Sequence, residues 1–410
     1  LKNVDNLDSY VSKIHKRTTR RLITFSFFTL FSIMKLLNCQ YFYSMKKLNI
    51  FIIFTFGYCT IFSQSYFQQE VNTTINVRLN DKNNTLSAFE EIEYINNSPD
   101  SLEHIFIHIW PNAYRNNGTD MAIQNDENGD VDFHFADSID RGFIDSLDFK
   151  VDGEFVISAP DIDHIDILDL VLKSPLAPGD KINITTPFRV KIPLGIYSRL
   201  GHIGESYQIT QWFPKPAVYD KDGWHPLPYL SQGEFYSEYG TYDVTITLPE
   251  NYVVGATGDL VNGEKEIAWL ENKVTETKLL LKEDKIGFWR KDGMDFPESS
   301  TELKTLHYHQ ENVHDFAWFA DKRYYVLKGE VELPHSKNKV TTWAMFTNNE
   351  AKLWAKSIEY LNDATYYYSL WNGDYPYKHV TAVDGSISAG GGMEYPNITV
   401  IGESYSAFSL

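Results

Sequence analysis

The sequence predicts a multidomain chain, β followed by α/β: an all-β, sandwich-like domain and then the start of an α/β or α+β domain. Three observations carry that expectation. From Glu70 to about Lys291 the chain runs in short alternating apolar and polar segments. Between them stand Asn-Asn-Ser-Pro-Asp at 96–100, Ala-Pro-Gly-Asp at 177–180 and Pro-Glu-Asn at 249–251. Period-two runs separated by such turns read as strands of a sandwich. Near 293–302 the composition changes, and the segments beyond mix strand patterns with one helical pattern. Aromatic residues make up 15% of the chain, which suits pleated, half-buried surfaces.

The N-terminal elements are set apart from the fold. Residues 1–44 begin with Leu and read as upstream sequence translated ahead of the true start. Met45-Lys46-Lys47, the apolar run 48–62 and the small residues Ser63-Gln64-Ser65 form the pattern of a secretory signal peptide, assigned to 45–65. An apolar run of about 15 residues is short of the roughly 20 that a spanning helix needs. The mature protein is therefore expected to be exported, periplasmic or extracellular, and not integral to the membrane. Tyr58 stands before Cys59 where a lipoprotein signal wants a small residue. The competing reading is an anchor at 22–37, interrupted by Lys35. Cys39 and Cys59 both precede the cleavage point, so disulfides and thiolate chemistry are not expected in the mature part. Residues 1–65 carry a net +7 and the remainder −25. An acidic body repels phosphate, so no nucleic-acid partner is expected.

The main elements follow in order. The all-β domain is assigned to 66–295, with strands at 71–79, 104–110, 165–172, 242–248 and 278–282. The second domain, 296–410, opens with strands around 305–308, 324–333 and 340–346. Thr347-x-x-Glu350 reads as a capping box. Ala351, Trp354, Ile358, Leu361 and Thr365 then recur on one helical face, and Asn372-Gly373 with Pro376 beyond closes the helix. A strand at 377–383, a Gly-rich loop and a strand at 393–401 complete the pattern.

The chemistry concentrates in Gly390-Gly391-Gly392-Met393-Glu394-Tyr395-Pro396. Glycines have no Cβ, so a ligand's backbone can approach them closely. Beside them Glu394 can meet a cationic group such as a free amine by a charge-assisted hydrogen bond. A second segment, Tyr207-Gln-Ile-Thr-Gln211-Trp212-Phe213-Pro214, offers the Gln211 amide, which both donates and accepts.

The first segment resembles the Gly-x-Met-Glu-Asn signature of the aminopeptidase N family of zinc metallopeptidases. The second resembles the Thr-Gln pair that this family sends into its active site. Ile107-His108-Ile109-Trp110-Pro111-Asn112-Ala113-Tyr114 and the stretch 212–242, with Gly223-Trp224 and Glu234-Phe235-Tyr236, resemble a branch common in secreted bacterial proteins. The resemblance covers roughly 70–410 and implies a saddle-like β domain followed by the start of a thermolysin-like catalytic domain. It implies peptide substrates, with Glu394 on the α-amine, Gly391, Gly392 and Met393 along the substrate backbone, and Gln211 assisting. It also implies one zinc ion, held by a His-Glu-x-x-His motif a few tens of residues further on. The chain stops at Leu410 before any such motif, so it is expected to be the inactive front portion of the enzyme, with no catalytic or metal residues of its own. Two positions depart from the family. Phe213 stands where many members have a polar residue that meets the amine, and Tyr395 replaces the signature's Asn.

Other constellations are weaker. His104 and His108 are four apart, but strand-like alternation would hold them about 13 Å apart. His307 and His309 share a strand face with His314 nearby, a set chemically able to bind a metal but otherwise unsupported. Asp126-x-Asn128-Gly129-Asp130-x-Asp132 is rich in oxygen donors, yet its glycine is misplaced for a calcium-binding EF-hand loop and an acidic turn is expected. Two other functions stay open: a non-catalytic relative serving as a binding scaffold, and a carbohydrate-binding module suggested by the aromatics. The second leaves the helix and the Gly-Gly-Met-Glu strand unexplained.

Overall fold

The computed structural model describes residues 66–286, 294–349, 351–385 and 391–402. The upstream extension, the signal peptide, both cysteines, Glu350, Gly390 and everything after Gly402 lie outside the described residues. Among the described residues the strands form five sheets, and the fold is mostly β with few helices.

The largest sheet grows from the hairpin of Glu70–Asn80 and Thr85–Ile95. In the first of these strands Val71, Thr73, Ile75, Val77 and Leu79 face the core, while exposed or half-exposed residues alternate between them. That period of two is the reason this segment is a strand. Lys181–Lys191 extends the sheet on one side. Gly240–Pro249 joins the other side, parallel to Glu70–Asn80, and Leu303–Val313 and Asp259–Val261 follow it. A four-stranded sheet runs in the order Gly201–Ile203, Ser206–Ile209, Trp318–Asp321, Val253–Ala256, and another in the order Lys215–Pro216, Leu102–His108, Ile167–Leu176, Ile157–Pro160. These sheets share one core, with Tyr207, Trp212, Phe213, Tyr242, Phe316 and Trp318 all buried in it.

The last sheet is mixed, in the order Tyr325–Glu332, Lys339–Phe346, His379–Asp384, Ile398–Ile401, Gly392–Tyr395. Its two middle pairings are parallel and its two outer ones antiparallel. The change of sheet membership falls between Asp321 and Tyr325, later in the chain than the composition shift at 293–302.

Four sequence expectations are corrected. The region 66–295 is not all-β: it holds α1 (Asp120–Glu127) and α2 (Glu264–Lys282). The expected strand at 278–282 is the last turn of α2. Leu270, Val274 and Thr277 recur at helical spacing and are buried, and Leu280 and Leu281 also pack inward, so Lys278-Leu-Leu-Leu-Lys282 only looks like a strand. Glu264 and Glu266 in the first turn and Lys282 in the last suit the helix dipole.

The single capped helix after Thr347 is instead two helices, α3 (Ala351–Trp354) and α4 (Ser357–Asn372). Thr347 is drawn elsewhere, its N–H and hydroxyl both donating to Asp384 Oδ2 at 2.9 and 2.8 Å. The expected apolar face survives: Ala351, Trp354 and Thr365 are buried, and Ile358 and Leu361 pack beside them. Helix α4 comes so close to its sheet that a Cβ on Gly329 would lie 2.3 Å from the Ile358 side chain.

The expected strand 393–401 is a hairpin. Pro396 and Asn397, the latter at φ 48°, turn the chain between Tyr395 and Ile398. A proline lacks the N–H that a continuous strand would need, and Asn tolerates the left-handed conformation. No described helix is long and apolar enough to cross a membrane.

Candidate functional site

The hairpin decides how the Gly-Gly-Met-Glu segment is presented. Among the described residues, Gly392–Tyr395 pairs only with Ile398–Ile401 and forms the edge of its sheet. An edge strand turns a row of backbone N–H and C=O groups outward, ready to pair with another extended chain. Alternation along the strand sends Met393 and Tyr395 into the core, against a cluster containing Phe319, Trp343 and Met345. Gly392 and Glu394 face the other way, and both are exposed. Among the described residues, a Cβ built on Gly391 would meet nothing within 4 Å, and one on Gly392 would come no closer than 3.6 Å to the Val400 carbonyl. No described residue covers the face beside the Glu394 carboxylate.

Gln211 lies below this strand, just past Ser206–Ile209. It is a non-glycine residue at φ 47° and is only 2% exposed. Its Nε2 donates to Asp315 Oδ2 at 3.2 Å, and its Oε1 accepts from the Tyr395 hydroxyl at 3.3 Å. The two segments singled out in the sequence therefore do meet, and they meet through Tyr395 rather than through Glu394. Phe213, in the position that many family members give to a polar residue, packs in the core against Trp212 and Tyr242.

A buried ion pair supports Gln211. Asp315 Oδ1 lies 2.8 Å from Lys215 Nζ, with both side chains about 5% exposed or less. The Phe316 N–H donates to the same carboxylate at 2.8 Å. Lys215 also donates to the His314 carbonyl at 3.2 Å, and its ammonium sits 5.1 Å from the Phe213 ring centroid and 5.6 Å from that of Trp110. The surroundings titrate accordingly. Burial, aided by Lys215, pushes His108 down to about 3. Burial raises Glu90 well above the usual carboxylate range, against the pull of Lys215. Burial likewise raises the Tyr395 phenol, which therefore stays a hydrogen-bond donor.

Sequence reasoning singled out the Gly-Gly-Met-Glu segment and Gln211 but not Lys215 or Asp315. Asp315 is 104 residues from Gln211 and carries no local motif. Asn397 was placed inside a single strand, 393–401, where the structure has a turn. The weaker constellations resolve as hydrogen-bonded pairs. His104 binds Asp169, while His108 accepts from the Leu227 N–H and stacks on Trp110. His307 and His309 both bond Asp243, whereas His314 faces the Tyr239 ring. Asp126 to Asp132 is the turn that ends α1, where Gly129 has φ 81° and Asp126 pairs with His134. Among the described residues, no group of three or more His, Cys, Asp or Glu is placed to hold a metal ion.

No protein-family profile matches the sequence, and no curated protein matches it. Solved structures do match. A two-domain M1 zinc metallopeptidase, a point mutant crystallised with L-arginine, superposes with a TM-score of 0.50 at 12% identity. The match covers 83% of this chain and 63% of that one, so the chain spans less than two thirds of its neighbour's length. An M1 zinc metallopeptidase from Deinococcus radiodurans gives a TM-score of 0.48 at 12% identity, over 82% of this chain and 60% of that one. The likeness is one of fold.

Proposed function

We propose that the chain is the front portion of an exported zinc-dependent aminopeptidase, with peptides as its substrates. Its last, mixed sheet would begin a thermolysin-like catalytic domain. The observation that carries the proposal is the open edge strand Gly392–Tyr395, with bare backbone and an exposed carboxylate on one face. An extended peptide would add to this edge as a further strand, held by main-chain hydrogen bonds. Gly391 and Gly392 admit its backbone, and Met393, turned inward, braces the strand from below. Glu394 would take the free α-amine, because an ammonium entering a partly dry site needs a partner. The motif resemblance and the shared fold support this reading together.

The described residues do not form a zinc cage, and His104, His307 and His108 are engaged with Asp169, Asp243 and the Leu227 N–H. The single zinc of such an enzyme, which activates water and polarises the scissile carbonyl, would take its ligands from outside the described residues. What this chain contributes is binding: an extended backbone at the edge strand, orientation of the amine at Glu394, and a dry floor at Tyr395 and Gln211. The 410-residue chain by itself is proposed to be inactive.

A second reading, a non-catalytic binding scaffold, draws on the covered Gln211 amide. A His-Glu-x-x-His motif within a few tens of residues of Glu394 in a longer protein decides for the enzyme. The binding role itself is tested by comparing wild type with Glu394→Gln on a free-amine peptide and its N-acetylated form. Selective loss on the free amine is expected. Equal loss on both would show that Glu394 is not the amine anchor.

A further inference from the structure

Two non-glycine residues in the left-handed backbone region flank Tyr395. Gln211 has φ 47° and Asn397 has φ 48°. For Gln this is an uncommon conformation that costs free energy, and it persists only where the surroundings over-determine it. Both side chains are buried amides, and both are wired at each end. Gln211 joins Asp315 to the Tyr395 hydroxyl. Asn397 Oδ1 accepts from the Gly258 N–H at 2.8 Å, and its Nδ2 donates to Gln310 Oε1 at 2.8 Å. A third link supports the same turn, the Thr257 hydroxyl donating to the Pro396 carbonyl at 3.0 Å. Residues 257, 258 and 310 all belong to or adjoin the β-rich sheets, whereas 395–397 form the tip of the edge hairpin.

A hairpin of two four-residue strands has little stability of its own. Its inner strand, Ile398–Ile401, is held by parallel pairing with His379–Asp384, and the Thr381 N–H donates to the Asn397 carbonyl. The outer strand, Gly392–Tyr395, depends further on the links that tie the tip to the β-rich sheets. The orientation of the Gln211 amide follows from the ion pair beneath it. The Asp315 carboxylate, paired with Lys215, offers Gln211 an acceptor oxygen, so the NH2 of Gln211 turns toward it and the carbonyl oxygen turns toward Tyr395. That oxygen is then capped by a hydroxyl and sealed from solvent.

We infer that Gln211 and Asn397 are positioning residues, paired amide joints that fix the Glu394 strand to the β-rich sheets, and that Gln211 acts through Tyr395 without touching the ligand. The ligand part rests on the peptide-binding reading above. The joint itself does not.

The test uses the 410-residue chain with Gln211→Met, Tyr395→Phe, their double variant and Asn397→Gly. Tyr395→Phe removes one hydroxyl, and glycine accepts a φ of 48° without strain, so these two are chosen to fold. Hydrogen exchange is followed at the amides of 392–401, with 102–108 as internal reference. Each single variant should speed exchange at 392–401 by about five- to tenfold and leave the reference unchanged. The double variant should be no faster than Gln211→Met alone, because that variant already lacks the bond that Tyr395→Phe removes. Affinity for a free-amine tripeptide should fall by similar factors in Gln211→Met and Tyr395→Phe. If Gln211 instead touches the ligand, Tyr395→Phe uncovers its oxygen and keeps or improves affinity while Gln211→Met loses it; that result overturns the inference. Unchanged exchange in Tyr395→Phe or in Asn397→Gly overturns it as well. A wild-type chain that binds no tripeptide counts against the peptide reading alone, and the exchange measurement still decides the joint.

Discussion

Gln211 and Glu394 stand on opposite sides of Tyr395 and were expected to share one task, yet the structure treats them oppositely. Gln211 stands in a chain of polar groups each spent on the next: amide on carboxylate, carboxylate on ammonium, hydroxyl on amide. Around Glu394 the carboxylate and the neighbouring backbone face solvent. The difference follows from the cost of burial. A polar group without a partner is expensive in the interior and inexpensive at the surface. A binding edge therefore needs a closed floor beneath it, and only the open layer is left with chemistry to offer.

The floor gives the largest expected effect. Asp315→Asn leaves the Lys215 ammonium buried without a counter-charge, and breaking such a pair typically costs about 3–5 kcal/mol. Urea unfolding should show a loss of that size, while Glu394→Gln, on the exposed side, should stay within about 0.5 kcal/mol of wild type. Equal losses at the two sites would erase the distinction between floor and edge.

A second consequence of a closed interior is pH dependence. Burial raises Glu238 to about 7 from an ordinary 4.5, although the Tyr219 N–H bonds its carboxylate. As pH rises through 4.5 the unfolded chain releases this proton while the folded chain keeps it. The contribution is fully present below 4.5 and is lost progressively up to about 7, on the order of 3 kcal/mol in all. Glu238→Gln keeps an acceptor for Tyr219 and should flatten this part of the stability profile. A variant whose profile still falls in parallel with wild type between those pH values would place Glu238 in contact with water.

How far the sequence revealed these features depended on the range of the interaction. The strand Glu70–Asn80 was legible because its burial alternates residue by residue. The edge glycines and Glu394 were legible because exposed glycine beside carboxylate is a local pattern. Helix α2 was not, since its last turn, Lys278 to Lys282, presents three leucines between two lysines and imitates a strand. The hairpin at Pro396-Asn397 was hidden because apolar residues flank the turn on both sides. The burial of Gln211 was beyond reach, for it depends on Asp315 and on Tyr395, which is 184 residues away.

On the open side the effects are smaller and concern binding. Glu394→Gln should weaken a free-amine peptide by roughly tenfold, the lower end for a charge-assisted hydrogen bond, because the carboxylate is exposed before the ligand arrives. Its N-acetylated counterpart should bind both proteins alike. A tenfold loss on both peptides would shift the role of Glu394 from recognition to holding the strand.

The smallest change in stability separates backbone approach from every other use of this edge. At Gly391 the φ of 88° strains any L-residue, so Gly391→Ala should cost about 1 kcal/mol whatever the strand does. Gly392 has no such constraint. Its nearest obstacle to a methyl is the Val400 carbonyl at 3.6 Å, an ordinary contact, so Gly392→Ala should leave stability within about 0.5 kcal/mol. The new methyl points to the face that carries Glu394, since side chains two residues apart share a face of a strand. A peptide lying against that face would be pushed off, and affinity should fall about fivefold for the free-amine and the acetylated peptide alike. Paired with Glu394→Gln, which affects one peptide only, Gly392→Ala thus isolates the main-chain part of recognition. Unchanged affinity would mean that a ligand, if one binds here, meets the carboxylate from solvent and never lies along the strand.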